Sequence, residues 1–375
     1  MKDSLNSLLP QKLQQSLRRD AFHNTFIRAQ APLRVSLSGG GTDLKEYAEE
    51  YGGVVLSSTI NRFSYASVKK TEETGLKIHV LDEKRIQSYH LQNEHMIYDG
   101  SLDLVKSCLK NLYLDGNIEE NGLELFLETE ALPGSGLGSS SALVVAIIGA
   151  LTALRKISLT PYEIAHLAYV LERKDVGIAG GMQDQYAAAF GGFNFIEFHG
   201  EDNVIVSPLH IPKSTIKELQ YNSILAFTGQ THFSGKIIEK QIAGYHDKSS
   251  MSVVEALHGI KALAYEAKDA LLLGDIARLG EILHKQWEFK KRTASNISNT
   301  NIDYFYSEAR NLGALGGKLC GAGGGGYLFL ICPFDARPNV ISRLRELGCV
   351  ISPVDFYLKG MTTWKTEETF LSNED

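Results

Sequence analysis

The sequence predicts an α+β protein with two cores, and three observations carry that expectation. Its 375 residues are 43% hydrophobic and 22% charged, an ordinary globular composition in a chain longer than the roughly 250–300 residues at which one core stops growing. The first half strings short apolar and β-branched runs between glycine turns, whereas the second half carries two long amphipathic helical patterns, 252–273 and 276–292. A strand, a glycine loop and an apolar helix follow one another over 123–151. The expected organisation is an extension over 1–24, a first domain over 25–206 and a second over 207–375.

Taken in order, residues 1–24 set Leu5, Leu8, Leu9, Leu13 and Leu17 at helix-like spacing, and Pro10 places a continuous helix after it rather than through it. The stretch lacks the compact apolar core and small-residue cleavage site of a secretory signal, so a short helix packed on the body or on a partner subunit is expected. Residues 25–68 read as strands around the turn Ser38-Gly39-Gly40-Gly41-Thr42-Asp43, with a helix over 44–51 ended by Gly52 and Gly53. Further strands are expected near 54–68, 76–81, 86–91 and 123–130, with a helix near 102–112. The apolar run Ala142–Leu151 makes the next helix. Pro161, suited to a first helical turn, opens another that runs through Arg173, and Gly177–Gly181 link it to Met182-Gln183-Asp184-Gln185. Alternation around 193–206 suggests a hairpin closing the first domain. A helix near 302–311 then precedes Gly321–Gly326 and a strand over 327–331.

A net charge of −6 argues against a general nucleic-acid or membrane-surface binder. No apolar run approaches the roughly 18 residues that span a bilayer. Cys108, Cys320, Cys332 and Cys349 show neither CxxC nor metal-ligand spacing, which fits reduced thiols in a cytoplasm.

Chemistry concentrates in Leu132-Pro133-Gly134-Ser135-Gly136-Leu137-Gly138-Ser139-Ser140-Ser141-Ala142. A helix start offers unpaired N–H groups and the positive end of a macrodipole, which together bind anions. Glycines let backbone close on a phosphate, and serines add hydroxyl donors or a metal ligand. Capping alone needs one serine; three in a row behind Gly134, Gly136 and Gly138 favour phosphate binding.

Two other loop patterns fail. Gly321, Gly323 and Gly326 formally satisfy GxGxxG, but a strand follows where the dinucleotide fingerprint needs a helix. Gly229 to Lys236 imitates a P-loop with one residue too many between its glycines and Ile237 in place of Ser or Thr.

Three further clusters carry potential chemistry. In Ala31-Pro32-Leu33-Arg34-Val35-Ser36-Leu37-Ser38, strand alternation sets Arg34, Ser36 and Ser38 on one face. Beyond the glycine turn, Asp43 suits a polyol, and equally suits a cap on the 44–51 helix. Glu172 and Asp184, twelve residues apart across a glycine link, suit a Mg²⁺ ligand and a base that orients a hydroxyl; taken alone, a surface Glu and a helix-capping Asp are the stronger reading. The third is Gly321–Gly326, five glycines in six positions, which exposes backbone amides as a second phosphate wall needs.

These motifs, in this order, resemble the three motifs of the GHMP kinases, which include galactokinase, homoserine kinase, mevalonate kinase and phosphomevalonate kinase. The resemblance spans about residues 28–331. It implies an N-terminal domain like ribosomal protein S5 domain 2, a ferredoxin-like C-terminal domain, ATP as phosphoryl donor and Mg²⁺ as its metal. Nucleotide binding falls on Pro133, Gly134, Ser135, Gly136, Leu137, Gly138, Ser139, Ser140 and Ser141, with Ser140 and Glu172 as metal ligands. Asp184 resembles the catalytic aspartate and Arg34 the basic residue beside the transferred phosphoryl group. Gly41, Thr42, Asp43, Gly323 and Gly324 resemble acceptor-binding positions.

The first motif most resembles the branch that phosphorylates D-glycero-D-manno-heptose 7-phosphate at its anomeric hydroxyl. Galactokinases carry Gly-Glu-His-Thr-Asp at this turn, whereas Gly39–Asp43 lack the Glu-His pair. Such an acceptor's own phosphate asks for a basic pocket, for which Arg173, Lys174, His232 and Lys236 are candidates. A kinase for a fucose-like or mevalonate-like alcohol, or a ligand sensor without chemistry, stand as alternatives. The expected partner is a sugar phosphate, with no nucleic acid and no membrane, and a homodimer is left open.

Overall fold

The computed structural model of the chain describes residues 25–89, 96–114, 122–231, 234–246 and 251–367. The helix expected within 1–24 lies outside them, and so does His232.

Two long antiparallel strands, β1 (Thr25–Ser38) and β2 (Gly53–Thr71), frame a short helix α1 (Lys45–Tyr51). The turn between them is tied by Thr42, whose Oγ1 donates to Gly39 O at 2.9 Å and accepts from Val54 N at 3.0 Å. Gly39 is obligatory there: φ is +86°, and a Cβ would stand 2.0 Å from Val54 O. Register shifts flank Pro32 and Ser36, as a proline that cannot donate to the ladder requires.

The length of β2 lets it pair along one edge with β1 and along the other with both β5 (Gly122–Thr129) and β6 (Phe193–Phe198). With β3 (Leu76–Val80), β4 (Arg85–Tyr89), β7 (Val204–Pro208) and β12 (Thr362–Glu367) they form an eight-stranded sheet, in which β3 runs parallel to β5. After α2 (Asp103–Leu112) comes α3 (Ser139–Leu154), apolar nearly all round, buried on every face and packed against β1 and β2.

The helix α4 (Pro161–Tyr169) starts at a capping box: Glu163 N donates to Thr160 Oγ1 at 3.2 Å, and Thr160 N donates to Glu163 Oε2 at 2.7 Å. The expected run of α-helix through Arg173 is corrected, because Val170–Asp175 winds as a π-turn. A helix the sequence reading leaves out, α5 (Gln183–Phe190), follows the glycine link.

The chain then crosses through α6 (Lys213–Asn222) to β8 (Ser223–Phe227), α7 (Ser234–His246), α8 (Met251–Leu273), α9 (Ile276–Lys291) and α10 (Thr300–Asn311). It returns as β9 (Gly316–Leu319), β10 (Tyr327–Ile331), α11 (Arg337–Glu346) and β11 (Val350–Ser352). The four strands form an antiparallel sheet in the order β11-β8-β10-β9, the split βαβ arrangement that a ferredoxin-like half requires. The strand after the glycine run is in place, so the dinucleotide fingerprint is excluded on structure as well. Sheet and sequence boundaries do not coincide: β12 comes home to β1, Thr25 opposite Glu367 and Gln30 opposite Thr362. Among the described residues no helix is long and apolar enough to cross a membrane, and all four cysteines are buried and unpaired.

Candidate active site

The glycines of the serine loop place it. Gly134, Gly136 and Gly138 all have positive φ, at +73°, +85° and +74°. A Cβ on Gly136 would lie 2.3 Å from Cys320 O, and one on Gly326 would lie 2.3 Å from Ser135 O. Tyr327 N donates to Ser135 O at 3.0 Å. The late glycine hairpin and the serine loop thus lie backbone against backbone, which only residues without side chains allow.

Arg34 ties this junction to Asp184. Its Nε and Nη2 donate to Oδ1 and Oδ2 of Asp184 at 2.7 and 2.8 Å, its Nη1 donates to Gly136 O, and its backbone N donates to Leu137 O at 3.0 Å. Such a bidentate fork fixes both the position and the rotation of the carboxylate. A Cβ on Gly138 would stand 3.4 Å from Asp184 Oδ2, so the acid sits against the loop that starts α3. The side chain of Arg34 is 4% exposed and that of Asp184 19%; both line the cleft, and the carboxylate is the more open of the two.

Glu172 is carried inward by the π-turn, a local insertion common at functional sites. It accepts from Ser140 Oγ at 3.0 Å, from Ser141 Oγ at 2.6 Å and from Gln185 Nε2 at 2.6 Å, with Arg173 Nη1 at 3.3 Å. Ser140 and Glu172, both expected as metal ligands, are thus in direct contact. Ser141, fully buried, braces the other oxygen of the same carboxylate.

Asp43 is 2% exposed. Oδ1 accepts from Gly41 N at 2.9 Å, while Oδ2 accepts from Gln183 N at 3.2 Å and from Gln183 Nε2 at 3.0 Å. It thus caps α5, the helix that carries Asp184, rather than α1, whose start has no side-chain cap. Gly181 makes room for it, since a Cβ there would lie 2.0 Å from Asp43 Oδ2.

These groups line one cleft of about 510 Å³. Its lining joins apolar Val80, Leu102, Leu104, Leu127, Pro133 and Leu143, the loop and brace residues Gly134, Gly138, Ser139, Ser140 and Glu172, and the polar group Asp184, Asp43, Gly41 and Ser36. The structure does not bring every expected residue to the cleft. Ser135 and Leu137 are fully buried behind the loop, and Thr42 is a turn clamp. Gly324 N donates to Ile297 O at 2.8 Å, and a Cβ on Gly323 would meet that same oxygen at 2.8 Å; Gly321 and Ala322 face the cleft instead. Lys174 pairs with Glu201 at 2.7 Å, outside the cleft lining. Lys236 lies on α7.

Sequence reasoning missed Gln183 and Gln185, whose signal is their place on either side of Asp184, and two lysines of the second half. Lys318 donates to Ser36 O at 2.7 Å; burial brings its pKa down to about 7, with Lys290 and Arg34 adding to the depression. Lys290, at the end of α9, lines the cleft, and burial lowers its pKa to about 8 against the opposing pull of Asp43.

An anion-binding helix start, a dry carboxylate brace and a second carboxylate held by a guanidinium fork define a phosphotransferase. Comparison with known proteins agrees. The pattern of the GHMP kinases N terminal domain matches residues 103–192 and that of the GHMP kinases C terminal domain residues 267–348. The D-glycero-alpha-D-manno-heptose 7-phosphate kinase of Campylobacter jejuni is 38% identical over 341 residues, covering 90% of this chain and 99% of its own. A solved D-glycero-D-manno-heptose 1-phosphate kinase from Bacteroides thetaiotaomicron superposes with a TM-score of 0.76 at 33% identity, over 90% of this chain and 98% of the other. A sugar kinase structure from Campylobacter jejuni gives 0.72 at 34% identity, over 93% and 100%. The chain belongs to the GHMP kinases and is an ATP-dependent phosphotransferase with the two-domain fold of that family.

Proposed function

We propose that this protein transfers the γ-phosphoryl group of ATP to the anomeric C1 hydroxyl of D-glycero-D-manno-heptose 7-phosphate, giving the 1,7-bisphosphate. The observation that carries the reading is the Arg34–Asp184 fork, which sets a carboxylate beside the serine-loop helix start in the cleft that also holds Asp43. The apolar side chains of Val80, Leu102, Leu104 and Leu143 in the cleft lining suit the adenine. The triphosphate then runs over Gly134–Ser140 toward Asp184, with loop amides and the α3 dipole facing its charge.

Ser140 and Glu172 suit Mg²⁺, which takes one or two protein oxygens and fills its remaining positions with phosphate and water. Held by those two residues, it would supply positive charge against the phosphate oxygens. Asp184 accepts a hydrogen bond from the acceptor hydroxyl, aims its oxygen at the γ-phosphorus, and takes the proton as the new P–O bond forms and the bond to ADP breaks. A carboxylate is a weak base, which suffices where alignment and charge neutralisation supply most of the catalysis. Arg34 keeps that carboxylate aimed and sets a positive charge beside the transferring group. Asp43 and Gly41 form the acceptor side.

The two heptose kinase relatives bear names that differ in where the sugar carries its phosphate, so the acceptor is settled by measurement. Steady-state kinetics over heptose, mannose, galactose and fucose, each with and without a terminal phosphate, and mevalonate, should show the highest kcat/KM for the heptose 7-phosphate with product phosphate on C1. Preference for mevalonate or an unphosphorylated sugar refutes the assignment. ATP binding without turnover of any acceptor favours a sensor. The unpaired buried thiols fit a reducing compartment such as the cytoplasm.

A further inference from the structure

Three residues of the cleft carry polar atoms without partners. Lys290 is 6% exposed, and its ammonium makes no hydrogen bond or ion pair with any described residue. Ser36 Oγ and Gln183 Oε1 are buried and unsatisfied as well. All three residues line the cleft. An unpaired ammonium removed from water is expensive, and lysine is almost never fully buried without a partner. Its location is well defined, because a Cβ on Gly41 would come within 3.3 Å of Nζ.

Charge around these residues does not cancel. Arg34 is neutralised by Asp184, and Arg173 faces Glu172. What remains is Asp43 against both Lys290 and Lys318. Asp43 is already satisfied by three donors from Gly41 and Gln183, and Lys318 is committed to Ser36 O. Lys290 is therefore a cation held ready, in a cleft that also holds the Ser36 hydroxyl, for an anionic oxygen that the protein does not itself supply. It projects from the second domain at the turn that holds Gly41 and Asp43.

We propose that Lys290 is the specificity-determining residue that grips the acceptor's own phosphate monoester, with Ser36 Oγ as a second donor. This rests on the sugar-phosphate reading above and deepens it: the basic pocket sought around Arg173, Lys174, His232 and Lys236 is placed instead on α9. One cation and one hydroxyl suit a monoester. The γ-phosphate of ATP belongs to the serine loop.

The test compares Lys290→Met and Lys290→Gln with the parent protein. Kinetics use heptose 7-phosphate, the same heptose without phosphate, and ATP; calorimetry without nucleotide uses both heptoses and mannose 6-phosphate. The expected result is a rise of about 10- to 100-fold in KM and Kd for the phosphorylated sugars, with values for unphosphorylated heptose and ATP changed less than about twofold. Thermal melting should stay at or above the parental value, since a buried charge has been removed. Equal weakening toward both heptoses, a raised KM for ATP alone, or no change in either variant overturns the assignment. Calorimetry separates this inference from the reaction: phosphate-dependent binding that is lost in both variants supports Lys290 even if no acceptor is turned over.

Discussion

The surroundings of Asp184 leave its carboxylate one orientation, which suits the role of base proposed for it. Both oxygens are held by a guanidinium that is itself buried, so the carboxylate cannot rotate away from the loop it faces. Asp184→Asn keeps the size and one acceptor but cannot take a proton; kcat should fall about 10²- to 10⁴-fold while ATP affinity measured by calorimetry changes little. Near-parental turnover removes the residue from the mechanism. Asp184→Ala does more damage, because it strands Arg34 as a buried charge, at a cost of about 3–5 kcal/mol in chemical denaturation. The lysines make the opposite point. The pKa of Lys290 is lowered from 10.5 to about 8, so between those values the unfolded chain binds more protons and stability climbs with pH. Over the same window the ammonium is lost, so KM for a phosphorylated acceptor should rise above pH 8 as the fold becomes firmer. Urea denaturation and acceptor KM, each measured at pH 7 and pH 9.5, check both halves. In Lys290→Met the stability slope should be shallower, with the part due to Lys318 remaining, and the KM slope should flatten.

Among the elements, the glycine-bearing ones were the most legible. The serine loop and the late glycine run leave a mark in sequence because positive φ and backbone contact exclude every other residue; Gly136 against Cys320 O is such a contact. The π-turn leaves none. Val170–Asp175 has the composition of ordinary helix, and its extra residue per turn arises from what Glu172 meets: two serines, Gln185 and Arg173. Helix α5 escaped notice for a related reason, since its cap comes from Asp43, about 140 residues upstream. Gln185 gives this its test. Its amide holds the Glu172 oxygen that Ser140 does not, the place of an outer partner to Glu172 in its proposed role as metal ligand. Gln185→Leu should raise the Mg²⁺ concentration for half-maximal activity about 10- to 100-fold at saturating ATP with little change in acceptor KM. An unchanged Mg²⁺ requirement disconnects Glu172 from the metal.

At the scale of the whole molecule, the sequence conveyed two α+β halves and their order but not how each depends on the other. Lys290 and Lys318 read locally as lysines on an amphipathic helix and a strand; only the docking of the second half on the first sets Lys290 in the cleft and Lys318 against Ser36 O. The chain end is a parallel case. Nothing in Thr362–Glu367 names its partner, yet it completes the first sheet beside Thr25–Gln30. Just before it, Met361 fills the space over Gly149 of α3, where a Cβ would lie 2.6 Å from its sulfur. Ending the chain after Gly360 would uncover that glycine and turn β1 into an open edge, a template for aggregation. Since β1 continues past its bulge to Arg34, the loss falls on the strand that holds the Arg34–Asp184 fork, although the paired segment itself stops at Gln30. The truncated protein should lose on the order of 3 kcal/mol or more in urea unfolding and scatter light on warming, while its folded fraction keeps the parental KM for ATP. Unaltered unfolding would mean that β12 adds nothing to the sheet it closes. A changed KM with intact stability would mean instead that the terminal strand acts on the cleft directly.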